Sequence, residues 1–151
     1  MEADLIQLLA AYLGAMAYAV LIRLRLRLVP WAGLGGCLCW GCYLVSVAYF
    51  GGVFLPCLLA ATLAELYSEL LARLLRAPST LFCIPGVIPL VPGSALFNTM
   101  SAVVRNDWPA ARSYGATTGV SALAIAIGIS LVWALLFMIR EGRRHFQHAP
   151  R

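Results

Sequence analysis

Residues 83–101 read CIPGVIPLVPGSALFNTMS, an apolar run that three prolines interrupt. No residue between Arg76 and Arg105 is charged, and an uncharged stretch of that length lies in or against a membrane. A regular helix cannot pass through it, because proline lacks an N–H and crowds the carbonyl four residues back. In hydrocarbon, such broken backbone is tolerated only where protein or a wet cavity satisfies it. We therefore expect a broken membrane helix here and interpret it as the functional centre.

The second half of this stretch carries polar side chains. Gly93 is expected to precede a new half-helix with Ser94 as its N-cap, and Ser94, Asn98 and Ser101 lie on one helix face. Free N–H groups at the start of a half-helix favour a carboxylate or other anionic group of a substrate. An alternative is a proline kink packed on a neighbour, with Ser and Asn bonding across helices. The predicted substrate-binding residues are Pro85, Gly86, Pro89, Pro92, Gly93, Ser94, Asn98 and Thr99.

The composition is that of an integral membrane protein. The 151 residues are 62% hydrophobic and 11% charged, with a mean hydropathy of +0.88, which is outside the range of soluble domains. All 11 basic residues are arginines, which excludes a lysine Schiff base or a P-loop lysine. The net charge of +5 is interpreted as a topology signal, and no nucleic-acid partner is expected. Because Glu2 and Asp4 occupy positions where a secretory signal is basic, the first segment is expected to be retained.

Hydropathy predicts an all-α polytopic membrane protein with about five transmembrane helices, the fourth broken by the proline and glycine motif. The uncharged stretch from Leu28 to Ala64 would form a helix of about 56 Å, too long for one crossing of a core of about 30 Å. Gly51 and Gly52 are the natural turn within it. Residues 1–151 then form a single membrane domain with predicted spans at 5–22, 31–50, 52–71, 79–104 and 117–139.

The arginines predict the orientation of these spans. Nine share one side, and Arg105 and Arg112 lie on the other, which places the N-terminus outside and the C-terminus in the cytoplasm. If residues 31–71 were a single span, the split would be five against six and would carry no signal. Two small-residue faces are predicted to make close helix contacts. They are Ala11, Ala15 and Ala19 in the first span and Gly115, Gly119, Ala122 and Ala126 around the last.

Two acidic residues occur in the third span. Glu65 and Glu69 share a helix face with Arg73 and Arg76, and Glu69 is expected to pair with Arg73. One interpretation is a solvated helix end that includes both acids. The other makes Glu65, the deeper of the two, a proton-coupling candidate, since intramembrane acids are costly and usually functional.

The groups needed for catalysis or for metal binding are missing. Cys37, Cys39 and Cys42 lie inside an apolar span, where cysteine behaves as a small hydrophobic residue, so we expect neither metal nor cofactor. His145 and His148 occur in the Arg-rich tail, outside any span. There is no HExxH motif, no Ser/His/Asp set and no glycine-rich phosphate loop ending in Lys. We therefore expect that the protein is not an enzyme.

With its motif PGVIPLVPGSALFNTM (85–100), the chain resembles the second half of the threonine/serine exporter family, in the split form where two short membrane proteins replace one long exporter. The resemblance covers essentially the whole chain, but only the proline motif is specific. Within that motif, the family pattern extends over residues 85–94. The roles assigned to Asn98, Thr99 and Glu65 rest on the residues alone.

This resemblance implies secondary active, proton-coupled export of small hydrophilic amino acids such as threonine and serine across the bacterial inner membrane. It also implies a larger membrane subunit as partner, and five spans are few to enclose a path alone, which favours assembly with that partner or with further copies. The family includes pairs associated with dicarboxylate export, so a succinate-type exporter subunit is an alternative. A non-transporting structural subunit is another.

Overall fold

The computed structural model describes residues 2–147, with the side chains of 2–139 and of Glu141. The predictions for the histidines and arginines of the tail concern side chains outside this set. Within it, the chain consists of helices and short connections, with no strand. The elements are α1 (Glu2–Leu21), α2 (Val29–Phe50), α3 (Phe54–Leu75), α4 (Thr80–Val87), a 3₁₀ turn (Ile88–Leu90), α5 (Gly93–Val104) and α6 (Trp108–Gln147).

Four helices are long and apolar enough to cross a membrane, namely α1, α2, α3 and the Trp108–Ile139 part of α6. The α4 helix with its 3₁₀ turn forms, together with α5, a further apolar pair that is bent by 54°. These are the features that the hydropathy and the proline motif predict. The expectation of an all-α membrane protein with about five spans, the fourth of them broken, is thus confirmed.

The connection between α2 and α3 is a glycine turn. Gly51 and Gly52 have φ angles of 63° and 65°, a left-handed conformation that glycine adopts without a steric penalty. The α2 helix ends at Phe50 and α3 begins at Phe54. The turn that divides the long uncharged stretch was therefore predicted correctly.

The last helix begins earlier than the predicted start at residue 117. The backbone N–H of Ala110 donates to Asp107 Oδ1 at 3.2 Å, so Asp107 caps the helix. Pro109 follows in the first turn, where its missing N–H costs nothing. The sequence interpretation treated Asp107 as part of an outer loop, although an Asp two residues before a Pro is a helix-start signal.

The helices form two groups. The body consists of α1 to α4 with the 3₁₀ turn, whose members pack on one another. The arm consists of α5 and α6, and it joins the body where α6 packs on α3. Among the described helices, α5 contacts α6 alone. The bend in the broken span is therefore also the boundary between the body and the arm.

Within the body, α1 and α2 approach closely through small residues. Ala11, Ala15 and Ala19 are buried, which confirms the predicted contact face of the first span. A Cβ atom on Gly36 would lie 2.6 Å from the Ala15 Cβ. Because their side chains are engaged within this chain, these alanines are not free to hold another subunit.

The small-residue face predicted for α6 makes little contact within the described part of the chain. Gly119, Ala122 and Ala126 are exposed, and Gly115 alone of that set touches another helix, through the Thr99 methyl. The buried face is rotated from the predicted one and comprises Ser121, Ala124, Gly128 and Val132. A Cβ on Gly128 would lie 2.8 Å from the Leu58 carbonyl oxygen. The contact face of α6 is therefore the one that contains Gly128, where the helix lies close to the backbone of α3. The composition of α6 did not reveal this.

Candidate functional site

The prolines interrupt the helical hydrogen bonds of the broken span one after another. Pro85 lies inside α4, where it cannot donate to the carbonyl four residues back. The helix then tightens into the 3₁₀ turn, in which the N–H of Val91 donates to the Ile88 carbonyl at 3.2 Å. Pro92 precedes α5, and the N–H of Leu96 donates to its carbonyl at 3.0 Å. The N–H groups of Ser94 and Ala95 come before this first bond and are available at the start of α5.

The first half of the broken span is packed against glycines of α2. Pro85 and Gly86 are buried, and a Cβ on Gly35 would lie 3.8 Å from the Gly86 Cα. The Pro89 ring sits 3.4 Å from the Cβ position of Gly36. The glycines of α2 thus provide the room that the irregular backbone needs inside the bundle. This half resembles the alternative interpretation, a proline kink packed on a neighbouring helix.

The second half differs from both expectations about its polar residues. Ser94 is not the N-cap, because α5 already begins at Gly93 and Pro92 occupies the cap position without a side-chain hydrogen bond. Ser94 and Asn98 are both exposed, and Ser101 is half-buried. The kink interpretation would require Asn98 to form a hydrogen bond to another helix. No such bond to a described residue is present.

Thr99 faces the other helix of the arm. Its hydroxyl donates to the Ala95 carbonyl at 2.7 Å, and its Cγ2 methyl is 3.5 Å from the Cβ position of Gly115. The hydroxyl therefore already has an acceptor within α5. The predicted contact of Thr99 with substrate stays a prediction.

Glu65 lies in the interior of the body. The residue is 2% exposed, and its Oε2 atom has no hydrogen-bond partner among the described residues. Cys83 on α4 packs against the buried cluster that contains Ala64, the residue before Glu65. A buried carboxyl oxygen without a partner is costly in any protein and more so at membrane depth. The solvated-end interpretation therefore does not describe Glu65.

The depth of Glu65 was underestimated from the sequence. The α3 helix continues to Leu75, past the predicted end at residue 71, so Glu65 is about 15 Å from either end of the helix. Glu69, one turn later, makes the predicted pair with Arg73, at 3.7 Å between Oε2 and Nη2. The ion pair is thus confirmed for Glu69, and Glu65 is separate from it.

A groove of about 290 Å³ opens beside the break, between α1, α2 and the 3₁₀ turn. It is lined by Gln7, Ala10, Ala11, Gly14, Trp40, Ile88 and Pro89. The indole N–H of Trp40 donates to Gln7 Oε1 at 3.2 Å, and its ring stacks on Tyr43 with centroids 5.0 Å apart. Trp40 was missed in the sequence, although a tryptophan in the middle of a predicted span, away from the interfaces, is a signal worth following.

The cysteines act as small buried side chains in this arrangement. The Cys39 thiol donates to the Ala60 carbonyl at 3.5 Å, across the contact between α2 and α3. All five cysteines are free thiols. In the part of the chain that the structure describes, no group of His, Cys, Asp or Glu side chains is arranged to hold a metal ion.

The predicted site residues therefore fall into two places. Pro85, Gly86, Pro89 and Glu65 belong to the body, where α3 packs on α4. The residues from Pro92 onward belong to the boundary and the arm, where Ser94 and Asn98 face outward. A membrane span broken in this way, with a buried acid beside it, is typical of secondary transporters.

Comparison with protein families agrees with this geometry. The family model described as Threonine/Serine exporter, ThrE matches residues 7–135. The chain belongs to the threonine/serine exporter family. The matched residues include the entire proline break and all or most of each of the five apolar segments. Membership in this exporter family, together with the apolar helices, makes the chain a multi-pass membrane protein of a transporter that carries a small-molecule substrate. Neither the curated proteins nor the solved structures gave a match.

Proposed function

We propose that this member of the threonine/serine exporter family is the small subunit of a two-component, proton-coupled exporter of threonine, serine and similar amino acids. The family match supports amino-acid export. The observation that carries the proposal within the molecule is the bent span Thr80–Val104, whose first half is fixed in the body and whose second half presents free polar groups.

The substrate is proposed to bind at the start of α5. The N–H groups of Ser94 and Ala95 precede the first helical hydrogen bond, and a helix N-terminus attracts a carboxylate. Asn98 lies one turn further on the same face and has both donor and acceptor atoms for the polar remainder of the substrate. Thr99 would contribute only after its hydroxyl turns away from Ala95.

Proton coupling is proposed to run through Glu65. Glu65 is buried at the middle of α3 and one of its oxygens lacks a partner among the described residues. Intramembrane acids of this kind commonly belong to proton relays in transporters. A movement of α4 during transport would reach the surroundings of Glu65, because α3 packs on α4. Movement of the broken span and uptake or release of the proton would then be linked.

A larger partner subunit is proposed to cover α5. Asn98 is exposed on α5 among exposed apolar side chains that include Phe97 and Met100. An amide that faces lipid lacks the hydrogen bonds that water or protein would supply, and across helices such groups promote association. The missing half of the exporter is the occupant that best fits this face, and a further copy of this chain is the alternative.

The proposed location is the bacterial inner membrane, with the N-terminus outside and the C-terminus in the cytoplasm. The loops after α1 and after α3 border the same pocket, so they lie at one end of the molecule. They contain Arg23, Arg25, Arg27 and Arg76, whereas the turn between α5 and α6 contains Arg105 alone. This difference supports a cytoplasmic position for the arginine-rich end.

The test is efflux of labelled threonine from vesicles that contain this chain with its presumed partner, compared with each chain alone. Efflux that needs both chains is the expected result. Efflux of succinate but not threonine from a confirmed complex would favour the dicarboxylate exporter. A dicarboxylate has a second carboxylate that needs a positive partner. Arg105, near the end of the polar face, would be the available one.

A structural role without transport makes a different prediction. Alanine at positions 85, 89 and 92 would then spare transport, provided that the complex forms at normal levels. Loss of transport in a complex of normal abundance would instead support a direct role of the break.

A further inference from the structure

A second cavity lies at the opposite side of the body from the Gln7 groove, between the loop after α1 and the loop after α3. Its volume is about 320 Å³. Three arginines and several apolar side chains line it, including Arg23, Arg25, Arg76, Leu28, Leu75 and Leu81. Neither the sequence motif nor the proposed transport site involves this arginine pocket.

The backbone explains why the arginines converge. Arg23 and Arg76 each follow the end of a helix in the left-handed conformation, with φ angles of 57° and 50°. Leu24, between two of the arginines, is 7% exposed and belongs to an apolar cluster with Phe82 and Leu71. Burial of Leu24 fixes the loop, so Arg23 and Arg25 border the cavity on either side of it.

The charges in this arginine pocket are not neutralised by acidic side chains of the described residues. No acidic residue lines the cavity, and none of its three arginines pairs with a carboxylate among the described residues. Arg73 differs, because it pairs with Glu69. Two helices end and two begin at this cavity, so their dipoles largely offset one another. The field there is therefore set by the guanidinium groups.

We infer that the arginine pocket binds a phosphate-bearing anion at the membrane surface. The planar guanidinium matches phosphate oxygens with paired hydrogen bonds. A phospholipid headgroup and free phosphate share this chemistry. The leucines of the cavity favour the lipid, because they can contact the first part of an acyl chain. Basic pockets between membrane helices bind anionic headgroups in this manner. The inference does not depend on the proposed transport function.

The test uses the full chain in neutral detergent micelles. Binding of phosphatidylglycerol is titrated by native mass spectrometry, with phosphatidylcholine as the uncharged comparison. The Arg25→Gln/Arg76→Gln double variant should bind phosphatidylglycerol about 25-fold more weakly, because each arginine that lines the cavity and contacts the headgroup contributes about fivefold. Arg27→Gln is the matched control, because it removes the same charge from the same loop but does not line the cavity. It should weaken binding less than about twofold.

Two results would overturn the inference: equal binding of the two lipids, or a loss in Arg27→Gln as large as in the double variant. Inorganic phosphate is titrated in parallel. In one outcome, inorganic phosphate binds to the wild-type chain and not to the double variant, while phosphatidylglycerol binds to neither. The arginine pocket would then be a site for free phosphate and not for a lipid headgroup. Should the double variant not remain monodisperse, Arg25→Gln alone decides, because Arg25 has an ordinary backbone conformation and caps no helix. Unchanged lipid and phosphate binding in that variant would count against the site.

Discussion

The two halves of the broken span use similar residues in different ways. In the body, Pro85 and Gly86 are buried against Gly35 of α2, and the irregular backbone is enclosed by protein. In the arm, Ser94 and Asn98 face outward, and α5 is supported by α6 alone among the described helices. The first half is thus completed by this chain. The polar face of the second half, with Ser94 and Asn98, is left uncovered by the described part of the chain.

The same division applies to charge. Glu65 is the one buried acid among the described residues, and it lies with the first half of the span. The polar face on which we place the substrate lies with the second half. The proposed sites of proton coupling and of substrate recognition therefore lie on opposite sides of the bend, and four substitutions test this separation.

The largest effect is expected from Glu65→Gln. Glutamine keeps the size of the side chain but cannot release a proton, so threonine efflux driven by a pH gradient should fall by about tenfold or more. Exchange of labelled for unlabelled threonine without a gradient should persist. Both are measured in vesicles that contain the complex.

Glu69→Gln is the control for this experiment. It removes an acid from the same helix, one turn after Glu65, and breaks the pair with Arg73. If both variants lose coupling equally, or if Glu65→Gln stays coupled, Glu65 does not carry the proton.

Gly36→Ala should destabilise the body. The added methyl would lie 2.6 Å from the Ala15 Cβ and 3.1 Å from the Ala11 carbonyl oxygen, so α1 must move. Overpacking of this kind costs about 1–3 kcal/mol, measurable as denaturant unfolding in detergent. Gly93→Ala is the matched change in the arm, where no atom lies within 4 Å of the new methyl. A similar loss in both variants would contradict the contrast between the two halves.

Asn98→Leu should reduce transport while leaving the isolated chain as stable as before, because the side chain is exposed and has no bond to another helix. We expect threonine efflux by the complex to fall by several-fold, about the loss of one hydrogen bond to substrate. Phe97→Leu, at an apolar neighbour that is 71% exposed, is the control. Normal efflux in Asn98→Leu would remove Asn98 from the site.

The smallest effect concerns the groove in the body. Gln7→Leu removes the hydrogen bond to Trp40, which should cost about 1 kcal/mol or less. A double-mutant cycle with Trp40→Phe, based on unfolding in detergent, isolates this bond. A coupling energy of zero would mean that the pair does not hold α1 and α2 together at the groove.

Hydropathy, together with the glycines and prolines that end or break helices, was sufficient to predict most of the fold. The length of the uncharged stretch required a turn, and Gly51 and Gly52 provide it with the positive φ angles that glycine allows. The pair of Glu69 with Arg73 followed from their spacing on a helix. Such features depend on neighbours along the chain, which a single sequence contains.

The errors concern packing between helices. The exposed face of Gly119 and Ala122 looked as suitable for contact as the buried face of Gly128, because composition does not reveal which backbones meet. Likewise, the sequence could not show that Glu65 and Asn98 lie on different sides of the bend. That separation results from α5 packing on α6 and not on the body.

The outward position of Asn98 also has a consequence for the abundance of the protein in a cell. A copy made without the proposed partner subunit would present an amide to the hydrocarbon, and such a copy is expected to self-associate or to be removed by membrane proteases. Only assembled copies would then persist. The amounts of the two proposed subunits would then be matched because unassembled copies with an exposed Asn98 are removed, without a dedicated regulator of their synthesis.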